Sequence, residues 1–280
     1  MKKRILITAY ILTIVGIVLF IASLPFSVSS FNRFRDDEYE TNEYVFNESF
    51  DNIKIQVKET DITIKPSENG EFRAEINESK KVKHEVSISD ETLNITVADN
   101  RKWIDRLTLF HRTPTITLYL PIAEYEKAEI VLSTGDLNIL SGLKFKDMEI
   151  ELSTGEATLE CAVENDLNIE VGTGKIKVKS VNCKNVNLGA STGDITLDGV
   201  VAEEKLAVKT STGDVKLKNC DGEEIKISTS TGDVTGTILT PKTYTCKTPT
   251  GKVSVPENEA GGKCEITTGT GDIKIKLSIE

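Results

Sequence analysis

Carboxylates in register are the first chemically suggestive feature of this 280-residue chain: Asp136, Glu156, Asp194, Asp214, Asp233 and Asp272 each directly follow a glycine. Stacked carboxylates repel, and a hard cation such as calcium would relieve that repulsion. Lys175 and Lys252 interrupt the series, and the glycine- and aspartate-rich nonapeptide of calcium-binding β-rolls is missing. The favoured reading is that each Asp hydrogen-bonds its own turn backbone, so neither a metal nor a cofactor is expected.

Nucleophilic catalysis finds little to work with. His84 and His111 are the only histidines, both outside the repeating part, and no Ser-His-Asp or Cys-His set can be composed from neighbouring repeats. A pair of carboxylates in a cleft is the one catalytic arrangement left open, which makes a carbohydrate-active β-helix enzyme an alternative. Of the five cysteines, Cys220, Cys246 and Cys264 align with apolar positions and are expected to be buried. Cys161 and Cys183 fall in turns of adjacent repeats, where a bridge is open but not forced.

One segment joins basic and aromatic character in an otherwise acidic chain. Arg101, Lys102, Trp103, Arg106, Phe110 and Arg112 lie within twelve residues, and Trp103 is the single tryptophan. The functional reading is contact with an anionic surface, either lipid headgroups or a wall polymer. The competing reading has Trp103, Leu107 and Phe110 plugging the end of the fold. Net charge −10 and pI near 5.0 argue against nucleic acid as partner.

The elements that position these residues follow from a period. Eight Thr-Gly pairs, ending in Gly135, Gly155, Gly174, Gly193, Gly213, Gly232, Gly251 and Gly271, recur every 19 or 20 residues. Around each, apolar and polar residues alternate with period two, as in β-strands with one buried face. Aligned on glycine, Ile130, Ile150, Ile169, Leu188, Val208, Ile227, Cys246 and Ile266 form one inward column. Leu137, Ala157, Ile176, Ile195, Val215, Val234, Val253 and Ile273 form the second. A single unit is too short to bury its face, so the units must stack. Glycine at each turn implies positive φ. The expected fold is all-β: a single-stranded parallel β-solenoid, or β-helix, of about eight coils. Its length would be roughly 35 to 40 Å.

Upstream, residues 1–4 carry three positive charges before an apolar run over 5–25, long enough to cross a bilayer as one transmembrane helix with the rest outside. A cleaved signal peptide is the rival, with Ser27-Val28-Ser29 as its site. Residues 26–44 read as a polar linker, 45–125 as a β-rich N-terminal cap and 126–280 as the repeats. Within the cap, Lys58-Glu59-Thr60 resembles a degenerate repeat turn, and 84–88 with 93–97 a hairpin.

The anchor, the strand ending at Leu120-Pro121 and the reiterated Ser-Thr-Gly-Asp-Ile/Val-x-Leu motif resemble the bacterial putative-adhesin family of β-strand-repeat proteins, LiaG-like proteins of Gram-positive envelope-stress operons among them. The resemblance implies a surface-exposed β-solenoid and carries over no catalytic residue. The resulting expectation is a non-enzymatic scaffold at the cell membrane, its C-terminal domain extracytoplasmic. Its partners would be the membrane and an envelope protein or polymer. A surface adhesin binding wall or host polymer is the other alternative.

Overall fold

The computed structural model describes residues 38–99 and 112–278, together with Thr13. All regular structure in the two long stretches is β, in 23 strands hydrogen-bonded into one sheet. From Ile130 to Ile227 the strand before each glycine turn pairs in parallel with its counterpart one repeat away, and Ile227 pairs with Ile266 two repeats on, so that Ile130, Ile150, Ile169, Leu188, Val208, Ile227 and Ile266 stand in one row. The strand after the turn forms a second parallel ladder through Leu137, Ala157, Ile176, Ile195, Val215, Val234 and Ile273. Every one of these side chains is buried, at 2% exposure or less. Burying an aliphatic side chain is worth about 1.5 to 3 kcal/mol, and the two rows face one another to form one continuous core.

The ladders extend past the glycine repeats at the N-terminal end. Asn52–Glu59 pairs in parallel with Glu124–Thr134, and Asp61–Pro66 with Leu137–Ile139, so the degenerate turn at Lys58-Glu59-Thr60 belongs to a true layer of the stack. Beyond it lie Thr92–Asp99 and Thr115–Leu120, also parallel. The first ladder thus holds ten strands, about 43 Å at the ordinary strand spacing.

A wholly parallel arrangement does not hold. Val82–Ser89 forms an antiparallel hairpin with Thr92–Asp99, and Phe72–Ser79 and Tyr39–Phe46 close the other ladder with antiparallel pairs. Asp90 and Glu91 join the hairpin with φ of 49° and 56°; a two-residue turn of that hand forces its strands antiparallel.

The C-terminal end departs from chain order. Val215–Thr231 pairs with Gly262–Thr270, and Lys242–Lys247 packs outside the latter. The outermost layer is therefore the one containing Gly251. Val253, expected inside, is 46% exposed because no layer covers it, and Cys246 is only half-buried. Gly251 also lacks the positive φ of the other seven turn glycines. Asn258 and Glu259 partly cover the outer edge: Tyr244 N–H donates to Asn258 Oδ1 at 2.7 Å, and Glu259 N–H to the Lys242 carbonyl at 3.3 Å. Lys242 pairs with Asp221 at 2.7 Å, both groups nearly buried.

Candidate functional site

The Ser-Thr-Gly-Asp turns stack into one edge of the molecule. Gly135, Gly155, Gly174, Gly193, Gly213, Gly232 and Gly271 have φ between 137° and 148°. A Cβ on Gly193 would stand 1.6 Å from the carbonyl oxygen of Gly174, so the turns approach more closely than any side chain permits. Each glycine N–H from Gly135 to Gly213 donates to the threonine carbonyl of the next turn, at 2.8 to 3.0 Å.

The carboxylate column serves this stacking, in a manner that differs from expectation. Asp136 Oδ1 accepts from Glu156 N–H at 2.8 Å, Asp194 from Asp214 at 3.0 Å, Asp214 from Asp233 at 2.9 Å and Asp233 from Asp272 at 2.7 Å. Each aspartate therefore caps the backbone of the neighbouring layer, whereas the sequence reading assigned it to its own turn. Lys252 does not interrupt the ladder, because its backbone N–H still donates to Asp272 at 2.8 Å. Glu156 does, turning instead to Lys177 at 2.6 Å. Among the described residues no three His, Cys, Asp or Glu side chains are grouped to hold a metal ion.

At the N-terminal end of this edge Thr60 occupies the glycine position, with its carbonyl oxygen beneath Gly135. Its hydroxyl lies 3.2 Å from His84 Nε2, and His84 Nδ1 lies 2.7 Å from Glu78 Oε2. Glu78 Oε2 also accepts His84 N–H at 2.6 Å, while Oε1 accepts Asn42 Nδ2 at 2.7 Å and lies 3.3 Å from Lys83 Nζ. The carboxylate holds a proton on Nδ1, and the Thr60 hydroxyl, which can donate or accept, meets Nε2. The order carboxylate, imidazole, hydroxyl is that of a hydrolytic triad, but Thr60, His84 and Glu78 are 1%, 3% and 0% exposed. A hydroxyl so enclosed meets no substrate, and the array fills the corner where the turn column stops. Sequence reasoning dismissed such a set because it searched the repeat columns alone; the threonine in a glycine's place was the available signal.

Of the predicted surface-binding residues, Arg101, Lys102, Trp103, Arg106 and Phe110 lie outside the described residues, as does the 5–25 run apart from Thr13. Arg112 is exposed. Its guanidinium stands 5.9 Å from the Tyr39 ring centroid, and its carbonyl accepts the Tyr39 hydroxyl. Among the described residues no helix is long and apolar enough to cross a membrane. All five cysteines are free thiols, and Cys161 and Cys183 are buried without a bridge. Burial pushes both thiols up to about 12.

Residues 50–280 match the family model described as Toastrack DUF4097. The chain belongs to this family. The Toastrack match covers every strand from Asn52–Glu59 onward and leaves out Tyr39–Phe46, which pairs with Phe72–Ser79 at the end of the stack. Two solved structures are similar. One is of a putative adhesin from Bacteroides fragilis, 16% identical, with a TM-score of 0.50 over 86% of this chain and 98% of that one. The other is of a putative lipid binding protein from Parabacteroides distasonis, 15% identical, with a TM-score of 0.56 over 86% and 98%. At such identities the likeness is one of fold. No curated protein matches the chain.

Proposed function

We propose that this chain is a membrane-anchored, extracytoplasmic scaffold for interaction or sensing in the bacterial cell envelope, its repeats wound as a parallel β-solenoid and its role non-catalytic. The supporting observation is the contact between Tyr39 and Arg112. Tyr39 opens the first strand, within the stretch 26–44 read as a linker after the apolar run, and Arg112 ends the basic and aromatic segment. If tether and basic segment address the same anionic bilayer surface, their described neighbours Tyr39 and Arg112 should lie side by side, and the contact between these two residues supports that reading. The test is fractionation of cells expressing the chain with alkaline phosphatase fused after Glu280. The proposal expects phosphatase activity outside the cytoplasm and retention on membranes after a high-salt wash. A shortened chain in the medium, beginning near Ser30, would overturn the anchor.

A second reading, a surface adhesin for an anionic polymer, draws on one specific pattern. The outer face of the second ladder carries Lys177 with Lys179, Lys216 with Lys218 and Lys274 with Lys276 on alternate layers, separated by Thr196 and Thr235. Acidic neighbours offset part of this charge, Glu156, Glu160 and Asp198 each pairing with one of these lysines. Deletion of the gene separates the readings: lost attachment with an unchanged antibiotic response favours the adhesin.

A further inference from the structure

The two ends of the stack are finished differently. At the N-terminal end antiparallel strands close both ladders. Toward the C-terminal end each layer donates a backbone N–H to the next, the last being Ile273 N–H to the Lys252 carbonyl at 2.8 Å. Val253 repeats the position of Ile273, and among the described strands no layer lies beyond it. The outer edge of Lys242–Lys247 is half covered. Asn258 and Glu259 sit against its first three residues, and the Thr243 hydroxyl adds a bond to the Glu259 carbonyl at 3.3 Å. Thr245, Cys246 and Lys247 pair only inward, with Glu265, Ile266 and Thr267.

The end face is therefore a step. Its raised half lies beside the start of the strand and carries Glu257 and Glu259; its low half lies beside the turn and carries Lys247 and Lys252. All four side chains are exposed, and none is in an ion pair among the described residues. The six-residue strand between the halves spans about 17 Å, some twice the screening length at physiological salt, so acid and base do not neutralise one another within one copy. A step that is acidic where raised and basic where low is complementary to itself. A twofold axis in the end face, normal to the two ladders, sets raised half on low half and the glutamates on the lysines, twice over. An axis along the strands would instead set lysine on lysine and glutamate on glutamate, which repel. A partner of one charge answers only half of this face, whereas a second copy answers both halves.

We propose that this end face docks a second copy of the chain, the two stacks meeting end to end about a twofold axis. The inference rests on neither the anchor nor the lysine pattern of the outer ladder face. With a backbone outline of about 17 by 10 Å the face is small beside the roughly 1,200 Å² of a stable interface, so the dimer is weak, with a Kd of about 10 to 100 µM. Sedimentation equilibrium of the full-length chain in a density-matched maltoside detergent measures it. A monomer–dimer equilibrium is expected, weakened about threefold or more between about 50 and 500 mM salt. Lys247→Glu with Lys252→Glu, or Glu257→Lys with Glu259→Lys, should each abolish the homodimer while the melting temperature holds. An equimolar mixture of the two variants should restore a dimer about as tight as the native one, since every contact again joins acid to base. If a reversed pair fails to fold, Lys247→Gln with Lys252→Gln, or Glu257→Gln with Glu259→Gln, should weaken the native dimer about fivefold. A monomer at every concentration up to about 500 µM, a dimer indifferent to these folded variants, or a mixture of reversed variants that stays monomeric would each overturn the assignment.

Discussion

Gly193→Ala is the sharpest perturbation of the turn stack. The new methyl would sit 1.6 Å from the Gly174 carbonyl oxygen and 2.6 Å from its carbon, where ordinary contact begins at 3.4 Å. The layers must part locally by about 1.5 to 2 Å, since neither group is the end of a flexible side chain. That displacement breaks the bonds from Gly174 N–H to Thr192 at 2.8 Å and from Ile176 N–H to Asp194 at 3.1 Å. Two backbone bonds left unmade cost roughly 1 to 3 kcal/mol each. Left-handed backbone for a non-glycine residue adds about 1 to 2 kcal/mol. The expected loss is about 3 to 8 kcal/mol. Gly70→Ala is the control: φ is 76°, yet nothing lies within 4 Å of the added carbon. It should cost only the backbone share, about 1 to 2 kcal/mol. Urea denaturation followed by circular dichroism measures both, and losses equal to within about 1 kcal/mol would refute the close stacking of the turns.

Val234 and Val253 occupy one sequence column but differ in burial, so Val234→Lys should cost several kcal/mol and Val253→Lys less than about 0.5 kcal/mol, read from the same denaturation curves. Equal losses would place the Val253 layer inside the stack. His84→Ala leaves the buried Glu78 carboxylate without its imidazole partner and should cost about 3 to 5 kcal/mol, against about 1 kcal/mol for Thr60→Ala, measured by thermal and urea unfolding. Burial pushes the Cys161, Cys183 and Cys264 thiols up to about 12, so the native chain should react slowly with Ellman's reagent at pH 8 and release its thiols quickly in urea. Because their folded values lie above the unfolded value of about 8.5, the folded state holds more protons, and stability should be level below pH 8.5 and fall as pH rises toward 12. A stability that rises over that range contradicts the burial.

The layer-forming half of the chain was legible because its determinants are local. Glycine spacing and period-two alternation are written within single repeats, and the inward column from Ile130 to Ile227 is buried as read. The order of layers was not legible. Nothing near Cys246 or Val253 states that Gly262–Thr270 will insert beneath them, since that choice is made by pairing with Val215–Thr231. The aspartate ladder was half visible: turn chemistry identified the acceptors, while the donors lie a whole repeat away. Thr60, His84 and Glu78 come together only through the antiparallel strands of the cap, which no period announces.

The exchange of the last two layers bears on how such a molecule comes apart and how it could grow. In a stack whose outermost layer is also the chain end, that layer can peel away residue by residue, each step releasing a free tail. Here the outermost strands, Lys242–Lys247 and Val253–Ser254, are held by chain at both ends, and the final strand, Ile273–Leu277, lies one layer in. Opening must therefore release a closed loop, which gains less disorder than a tail of equal length. A copied repeat inserted after Leu277 would start one layer in, from the strand beside Val253–Ser254, and not from the outermost layer, so duplication among the middle layers is the simpler way to lengthen the stack.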